Sequence, residues 1–410
     1  MPKKSREYKN FIWNLVAGLI NAGESVILSF VIVRTSGLED AGIVSIAFAI
    51  GNLLMTIGKY GVRTYQVTDR GKTAFSSFFT TRILTVLLMF FVTVTYLLCK
   101  TYSVRKMSVI FGICFIYMIE AFEDVFAGHY QEQGYLYLSG MVFTVRWSVT
   151  LLTIILILLI NKNIVQAVVG GVITAFISEI FLLKATVPRF SIRMKFHFDD
   201  HIKRILIHCF PLFAMGFLSF YIVNSPKFSI DKYMNESVQA CYGFIAMPVF
   251  VISLLSSVLY QPILVAMTEE WAEKKYELFR KSVLRQVVLI IGITALFIAV
   301  GSVLGIPALS LIYNTDLSEY RTPFLILLAG GGALAIVNYF SSILTLIRKQ
   351  RFILYGYTGI AATAFIFSNI FVVHWGVVGA GVLYSSEMAL LGLFFVICFM
   401  IAWKRRIKSV

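Results

Sequence analysis

Long, continuous apolar runs alternate with short polar segments along the whole chain. Each run is about 20 residues long, the length at which a helix crosses the hydrocarbon core of a bilayer. An unbroken run favours a helix, whereas a membrane barrel strand would alternate apolar and polar positions. The pattern therefore predicts an all-α integral membrane protein with about twelve transmembrane helices. The predicted spans are residues 10–34, 41–62, 81–99, 107–128, 137–160, 164–185, 204–226, 237–262, 283–303, 322–346, 353–373 and 377–402.

The composition agrees with this pattern and excludes a soluble protein. Of 410 residues, 59% are apolar and 14% are charged, which leaves too little polar surface for a soluble domain. A net charge of +15 would suit a nucleic-acid-binding protein. The Lys and Arg residues concentrate instead in the short connections between apolar runs, and no nucleic-acid-binding motif accompanies them. We therefore expect contact with membrane lipids and none with nucleic acid.

The distribution of cations predicts the orientation. If the N-terminus lies inside, the inner segments hold 26 Lys and Arg residues and the outer loops hold 8. Cytoplasmic loops of membrane proteins carry this excess. Both termini are therefore predicted to be cytoplasmic, which requires an even number of spans.

Two stretches in the second half of the chain repeat features of the first half. Residues 171–179 and 379–387 both begin with Gly and end with Ser-Glu, at an offset of 208 residues. A basic residue and a later Ala also recur, at Arg34 and Ala41 and again at Lys232 and Ala240. These matches predict two six-helix bundles, residues 1–200 and 201–410, related by a pseudo-two-fold axis along the membrane normal.

Eight charged residues lie more than two residues from either end of a predicted span. A charge facing lipid costs several kcal/mol, so each should face a partner, an interface or a cavity. They are Glu24, Lys59, Glu120, Glu123, Asp124, Arg146, Glu179 and Glu387.

These charges allow different interpretations. Lys59 can snorkel to the inner interface, and Glu123 and Asp124 can be interfacial. Glu179 and Glu387 occupy matching repeat positions, which favours hydrogen bonds between helices.

Glu24 and Arg146 lie well inside their spans, which favours a role in a cavity. Glu120 and Arg146 lie at similar depths on two helices joined by a short connection. Such helices are usually antiparallel neighbours, so we expect these two side chains to form an ion pair.

No pattern of an enzyme or a metal protein is found. The five cysteines are scattered. His197 and His201 have metal-ligand spacing but lie in a basic connection, where Asp199 is better suited to cap a helix. We expect no catalytic residue, no metal and no cofactor.

Several short motifs resemble one family, the polysaccharide transporters that include the Wzx-type lipid-linked oligosaccharide flippases. This family belongs to the multidrug/oligosaccharidyl-lipid/polysaccharide flippase superfamily. Lys232 stands where the family usually has Arg, and the predicted span count is lower than that of lipid II flippases. The motifs are Arg34 with Gly37 and Ala41-Gly42, Pro211-Leu212, Asp231-Lys232-Tyr233, Tyr242-Gly243, Gly376 to Ala380, and Ser386-Glu387.

The resemblance implies a function. Such proteins move an undecaprenyl-diphosphate-linked oligosaccharide repeat unit across the bacterial cytoplasmic membrane by alternating access, for surface polysaccharide synthesis. The polymerase and glycosyltransferases of the same pathway are the implied partners. A diphosphate needs cations in a cavity between the two bundles. The candidates for this substrate-binding role are Arg34, Lys59, Arg146, Lys227 and Lys232.

Two other functions stay open at this stage. A cation-coupled multidrug exporter of the same fold would use acidic groups, and Glu24 and Glu120 are the candidates for ion coupling. The surplus of intramembrane and adjacent cations argues against a cationic drug as substrate. A membrane enzyme acting on the same lipid carrier would need a larger loop than any found in this chain.

The predicted orientation can be tested by cysteine labelling. In a variant without native cysteines, single cysteines at positions 103 and 316 should react with an impermeant reagent added to whole cells. Cysteines at positions 195 and 405 should react only after the membrane is opened. The reverse pattern would contradict the predicted topology.

Overall fold

The computed structural model describes residues 3–69, 73–190 and 194–407, and every regular element within these ranges is helical. Ten of these helices are long and apolar enough to cross a membrane. The prediction of an all-α, multi-pass membrane protein is confirmed.

Thirteen α-helices follow one another along the described chain, and most connections between them are short. A 3₁₀ turn follows α7 at Val187–Phe190, a π-helical turn at Gly301–Gly305 joins α10 to α11, and a second 3₁₀ turn at Ser318–Tyr320 precedes α12. The helices are α1 Lys3–Thr35, α2 Leu38–Lys59, α3 Val62–Thr68, α4 Phe75–Leu98, α5 Val104–Glu132, α6 Leu136–Asn161, α7 Ile164–Thr186, α8 Asp200–Tyr233, α9 Glu236–Ala272, α10 Tyr276–Val300, α11 Ile306–Tyr313, α12 Arg321–Leu346 and α13 Gln350–Ile407.

The ten apolar helices correspond to the twelve predicted spans when α5 is added and α13 is counted as two spans. Helix α5 is long enough to cross a membrane but carries too many charges to be counted among the ten. Helix α13 has 58 residues, or about 87 Å at 1.5 Å per residue, far more than one bilayer crossing needs. Gly376, with φ 56° and ψ −137°, interrupts it. The predicted spans 353–373 and 377–402 lie on the two sides of this glycine.

The chain divides into two compact units, a first unit Met1–Phe217 and a second unit Leu218–Val410. The division falls inside α8. The first part of α8 belongs to the first unit because Ile205 and Cys209 lie in its apolar core with Phe126. Phe213 also stacks on Tyr60, with ring centroids 4.6 Å apart. The predicted symmetry between two bundles stays a prediction.

Helices α1 and α6 approach each other very closely at Gly140. A Cβ atom added to Gly140 would lie 2.6 Å from the backbone carbonyl oxygen of Trp13, which cannot move aside easily. Gly18, in α1, has no atom within 4 Å of the corresponding position. Only the first of these glycines is required for packing.

We therefore expect Gly140→Ala to lower stability and Gly18→Ala to leave it unchanged. Overpacking of this kind costs about 1–3 kcal/mol. The measurement is thermal unfolding of the purified variants in detergent. Equal melting temperatures for the two variants would contradict the close contact between α1 and α6.

Candidate functional site

Charged side chains from six helices meet inside the first unit. Three of them lie on one face of α5, because Glu120, Glu123 and Asp124 are spaced i, i+3, i+4. Each of the other five helices contributes one charge to what we call the buried charge network. These contributions are Glu24 from α1, Lys59 from α2, Arg82 from α4, Arg146 from α6 and Glu179 from α7.

Arg146 lies at the centre of three glutamates and has no exposed surface. Its Nε atom is 2.7 Å from Glu123 Oε2 and 3.5 Å from Glu179 Oε2. Its Nη2 atom is 3.5 Å from Glu120 Oε2. The predicted ion pair between Glu120 and Arg146 is confirmed, although Glu123 is the closer partner. Arg146 thus joins α5, α6 and α7 through electrostatic contacts.

Lys59 connects this network to the accessible surface. Its Nζ atom is 2.8 Å from Glu120 Oε1. The Lys59 side chain is 33% exposed, whereas that of Glu120 is 5% exposed. Glu120 also accepts a hydrogen bond of 2.8 Å from Trp147 Nε1. Glu120 therefore has three partners, of which only Lys59 can readily be reached from outside the network.

Arg82 and Asp124 form a second part of the network. The buried guanidinium of Arg82 donates to Asp124 Oδ2 at 2.7 Å and to the Gly58 carbonyl at 2.6 Å. Arg63 is 3.4 Å from Asp124 Oδ1 and also donates to Gln131. Asp124 is therefore paired with two arginines.

Arg82 was not singled out from the sequence as an intramembrane charge, because it lies at the second position of the predicted span 81–99. In the structure its side chain is fully buried in the first unit. One sequence feature could have indicated this. Arg82 follows a run of hydroxyl side chains at Ser76, Ser77, Thr80 and Thr81, which is typical of a helix face that packs against polar groups.

Glu24 and Glu179 have fewer partners than the other carboxyl groups. Glu24 Oε1 accepts a hydrogen bond of 2.7 Å from the Tyr117 hydroxyl, which in turn accepts one from Asn52. Within the described ranges, Glu24 Oε2 and both carboxyl oxygens of Glu179 have no hydrogen-bond donor. No Lys or Arg of the described chain lies within 4.0 Å of Glu24.

The network contains more carboxyl groups than cations. Ionising all of them would leave uncompensated negative charge in a region of low dielectric, which is costly. At least one carboxyl group must therefore carry a proton or bind another cation, and Glu24 and Glu179 are the least compensated. The five carboxyl groups are Glu24, Glu120, Glu123, Asp124 and Glu179. The cations are Lys59, Arg82 and Arg146 of the network, together with Arg63, which contacts Asp124 from α3.

The other predicted substrate cations lie outside the network. Arg34, at the end of α1, is exposed and lies 4.5 Å from the ring centroid of Phe30. Lys232, at the end of α8, is exposed and lies 4.8 Å from the ring centroid of Tyr233. Lys227 is half-buried in α8, and no ion pair or hydrogen bond joins it to any residue that the structure describes.

Glu387 has a different environment from Glu179, its predicted repeat equivalent. It is buried in the second unit, and neither carboxyl oxygen has a hydrogen-bond partner in the described part of the chain. The same is true of the Tyr384 hydroxyl and the Gln239 amide. No counterpart of Arg146 accompanies Glu387 among the described residues, so the two glutamates are not electrostatically equivalent.

Solved structures identify the fold. An inward-facing MATE multidrug transporter of the MOP superfamily is 13% identical, with 98% of this chain and 100% of that chain covered and a TM-score of 0.74. The lipid II flippase MurJ, in an inward closed conformation, is 12% identical over 95% and 87% of the two chains, with a TM-score of 0.73. The Vibrio cholerae MATE transporter VcmN, in its bent form, is 14% identical over 98% of each chain, with a TM-score of 0.61. The protein therefore has the fold of MOP superfamily transporters.

A family model identifies the family within this fold. The model described as "Polysaccharide biosynthesis protein" matches residues 8–268, well over half of the chain, so the protein belongs to that family. The predicted family resemblance is confirmed. No curated protein matches the chain at a significant level.

Arg146→Gln is expected to destabilise the first unit strongly. It removes the cation shared by three glutamates, and breaking a buried ion pair costs about 3–5 kcal/mol. Adding Glu123→Gln should recover part of this loss, because the two residues are direct partners. Lys59→Gln should cost less, because Lys59 is partly exposed and Glu120 keeps two other partners. Thermal unfolding in detergent of these three variants and the wild type measures these differences. A larger loss for Lys59→Gln than for Arg146→Gln would contradict the central position of Arg146.

Proposed function

We propose that this protein is a flippase that moves an undecaprenyl-diphosphate-linked oligosaccharide repeat unit across the bacterial cytoplasmic membrane by alternating access. Family membership and a fold shared with a lipid II flippase support a transporter rather than an enzyme. The observation that carries the proposal is the contact between Lys59 and Glu120. It places an accessible cation at the edge of a buried acidic network. Glycosyltransferases would supply the substrate and a polymerase would consume the product.

A diphosphate can replace Glu120 as the partner of Lys59. A lysine binds phosphate as a point charge and does not need a fixed bidentate geometry. Glu120 would remain hydrogen-bonded to Trp147 and close to Arg146 after Lys59 turned away. Glu120 therefore keeps two partners after the exchange. Arg34, Lys227 and Lys232 are the further cations that we assign to the headgroup.

We assign Arg146 an indirect part in substrate binding. Its guanidinium has no exposed surface and is surrounded by Glu120, Glu123 and Glu179. It holds Glu120 in position, and Glu120 holds Lys59. Loss of Arg146 would therefore change the position of Lys59, the cation that we assign to the substrate, without removing it.

We assign ion coupling to the same contacts. Protonation of Glu120 would remove its attraction for Lys59 and leave the ammonium group available to a diphosphate. Binding of a diphosphate to Lys59 would in turn favour protonation of Glu120, because coupling between two sites is reciprocal. Glu24 belongs to the same network and has no cation within 4.0 Å in the described chain, so we assign it the role of accepting the surplus proton or another coupling cation.

A cation-coupled multidrug exporter is the second candidate. The MATE transporters share the fold, and the incompletely paired carboxyl groups of Glu24 and Glu179 could attract a cationic compound. The five basic residues assigned above would repel such a compound. A flippase for a diphosphate-linked substrate would therefore need Lys59, whereas an exporter of cationic compounds would not.

Export of surface polysaccharide should depend on Lys59. In the native host without its chromosomal copy, Lys59→Gln should reduce export at least tenfold and Lys59→Arg should retain most of it. Lys162→Gln is the matched control, because Lys162 is an exposed lysine in the connection between α6 and α7. Export is measured with membrane levels of each variant and with the amount of lipid-linked repeat unit that accumulates in the cell.

The same strains distinguish the alternatives. Full export by Lys59→Gln at normal abundance would overturn the assigned substrate role. Normal export together with altered sensitivity to cationic drugs would favour the multidrug exporter.

A further inference from the structure

A cavity of about 680 Å³ lies in the second unit, at the ends of three helices. Its wall is formed by the last turn of α9, the turn between α12 and α13, and both ends of α13. It is separate from the buried charge network, which belongs to the first unit. Its volume is in the range that holds small-molecule ligands.

One side of this cavity is cationic. Arg348 and Lys349 line it and have exposed side chains, and neither forms an ion pair with a residue that the structure describes. No carboxylate is among the lining residues. The cavity therefore presents positive charge without internal compensation, which suits an anion.

The turn that carries these cations has a fixed shape. Lys349 N donates to the Leu344 carbonyl at 2.7 Å, and Arg348 N donates to the Thr345 carbonyl at 3.0 Å. Arg348 has φ +59°, a conformation that usually favours glycine. These backbone hydrogen bonds fix the positions of Arg348 and Lys349 at the end of α12.

The other lining residues of the cavity are mostly apolar or aromatic. Trp271 lines it and packs against Tyr276, Phe279 and Trp403, with ring centroids 5.6, 5.1 and 6.1 Å away. This cluster holds the Trp271 ring in place. Leu346, Phe352 and Ile401 add aliphatic and aromatic surface to the lining. A ligand that fits both sides must have an anionic end and an apolar end.

We propose that this cavity binds an anionic glycerophospholipid of the bilayer, with its phosphate on Arg348 and Lys349. The glycerol backbone would lie against Trp271, and an acyl chain would follow Leu346 and Phe352. Tryptophan is enriched at the level of lipid headgroups, and basic pockets between transmembrane helices hold anionic headgroups. The cation distribution predicts that this end of the unit faces the cytoplasm. A bound lipid would connect the ends of α9, α12 and α13.

The proposal predicts selective stabilisation by lipid. The full-length protein, purified in detergent and stripped of lipid, should gain thermal stability from phosphatidylglycerol and much less from phosphatidylcholine. Arg348→Gln/Lys349→Gln should weaken the apparent affinity for phosphatidylglycerol at least tenfold. Arg351→Gln is the matched control, because Arg351 is an exposed cation of the next helical turn that does not line the cavity. It should bind phosphatidylglycerol like the wild type.

A second variant separates binding from folding. Arg348→Gly suits the backbone conformation at this position, so it should fold at least as well as the wild type and still bind phosphatidylglycerol more weakly. Equal affinity in the wild type and the double variant would overturn the proposal, as would equal loss in Arg351→Gln. Equal stabilisation by phosphatidylcholine would show that only acyl chains bind. Competition by inorganic phosphate at the same concentration as the lipid would show a simple anion site instead.

Discussion

The guanidinium group of Arg146 constrains how the helices of the first unit pack. A cation without exposed surface in a membrane bundle requires compensating charge, and here three glutamates supply it. These glutamates come from α5 and α7, while Arg146 comes from α6. The three helices therefore have to keep a fixed register along the membrane normal. Lys59 and Arg82 extend the requirement to α2 and α4.

The two units differ in how their buried charges are compensated. In the first unit, carboxyl groups and cations are interleaved, so most of the charge is compensated within a few ångströms. In the second unit, Glu387 is buried without a paired cation in the described chain. A duplicated sequence pattern has thus given two glutamates in unlike surroundings. The proposed functions of the two units differ accordingly, with coupling placed in the first unit and lipid contact in the second.

Much of the fold could be predicted from the sequence because bilayer thickness fixes the length of each apolar run. The twelve runs correspond to described helices, and the predicted spans on either side of Gly376 match the two parts of α13 that this glycine separates. Pairing of Glu120 with Arg146 also followed from their equal depth on helices joined by a short connection. The closer contact of Arg146 with Glu123 could not be predicted from depth alone. The rotation of α5 about its axis decides which of two residues one turn apart faces a neighbouring helix. Arg82 was missed for a related reason. Its depth in the bundle depends on how far α4 extends beyond its apolar part, and hydropathy does not report that.

The unequal exposure of Lys59 and Arg146 has a further consequence, in terms of ionic strength. Dissolved salt screens charges that solvent can reach, over about 8 Å at physiological concentration, and acts much less on buried pairs. Lys59 is 33% exposed and Arg146 is not exposed at all. Added salt should therefore weaken the hold of Glu120 on Lys59 while the contacts of Arg146 with its glutamates persist. The contact between Lys59 and Glu120 would respond to the salt concentration of the surrounding solution. The contacts of Arg146 would keep the helices in register.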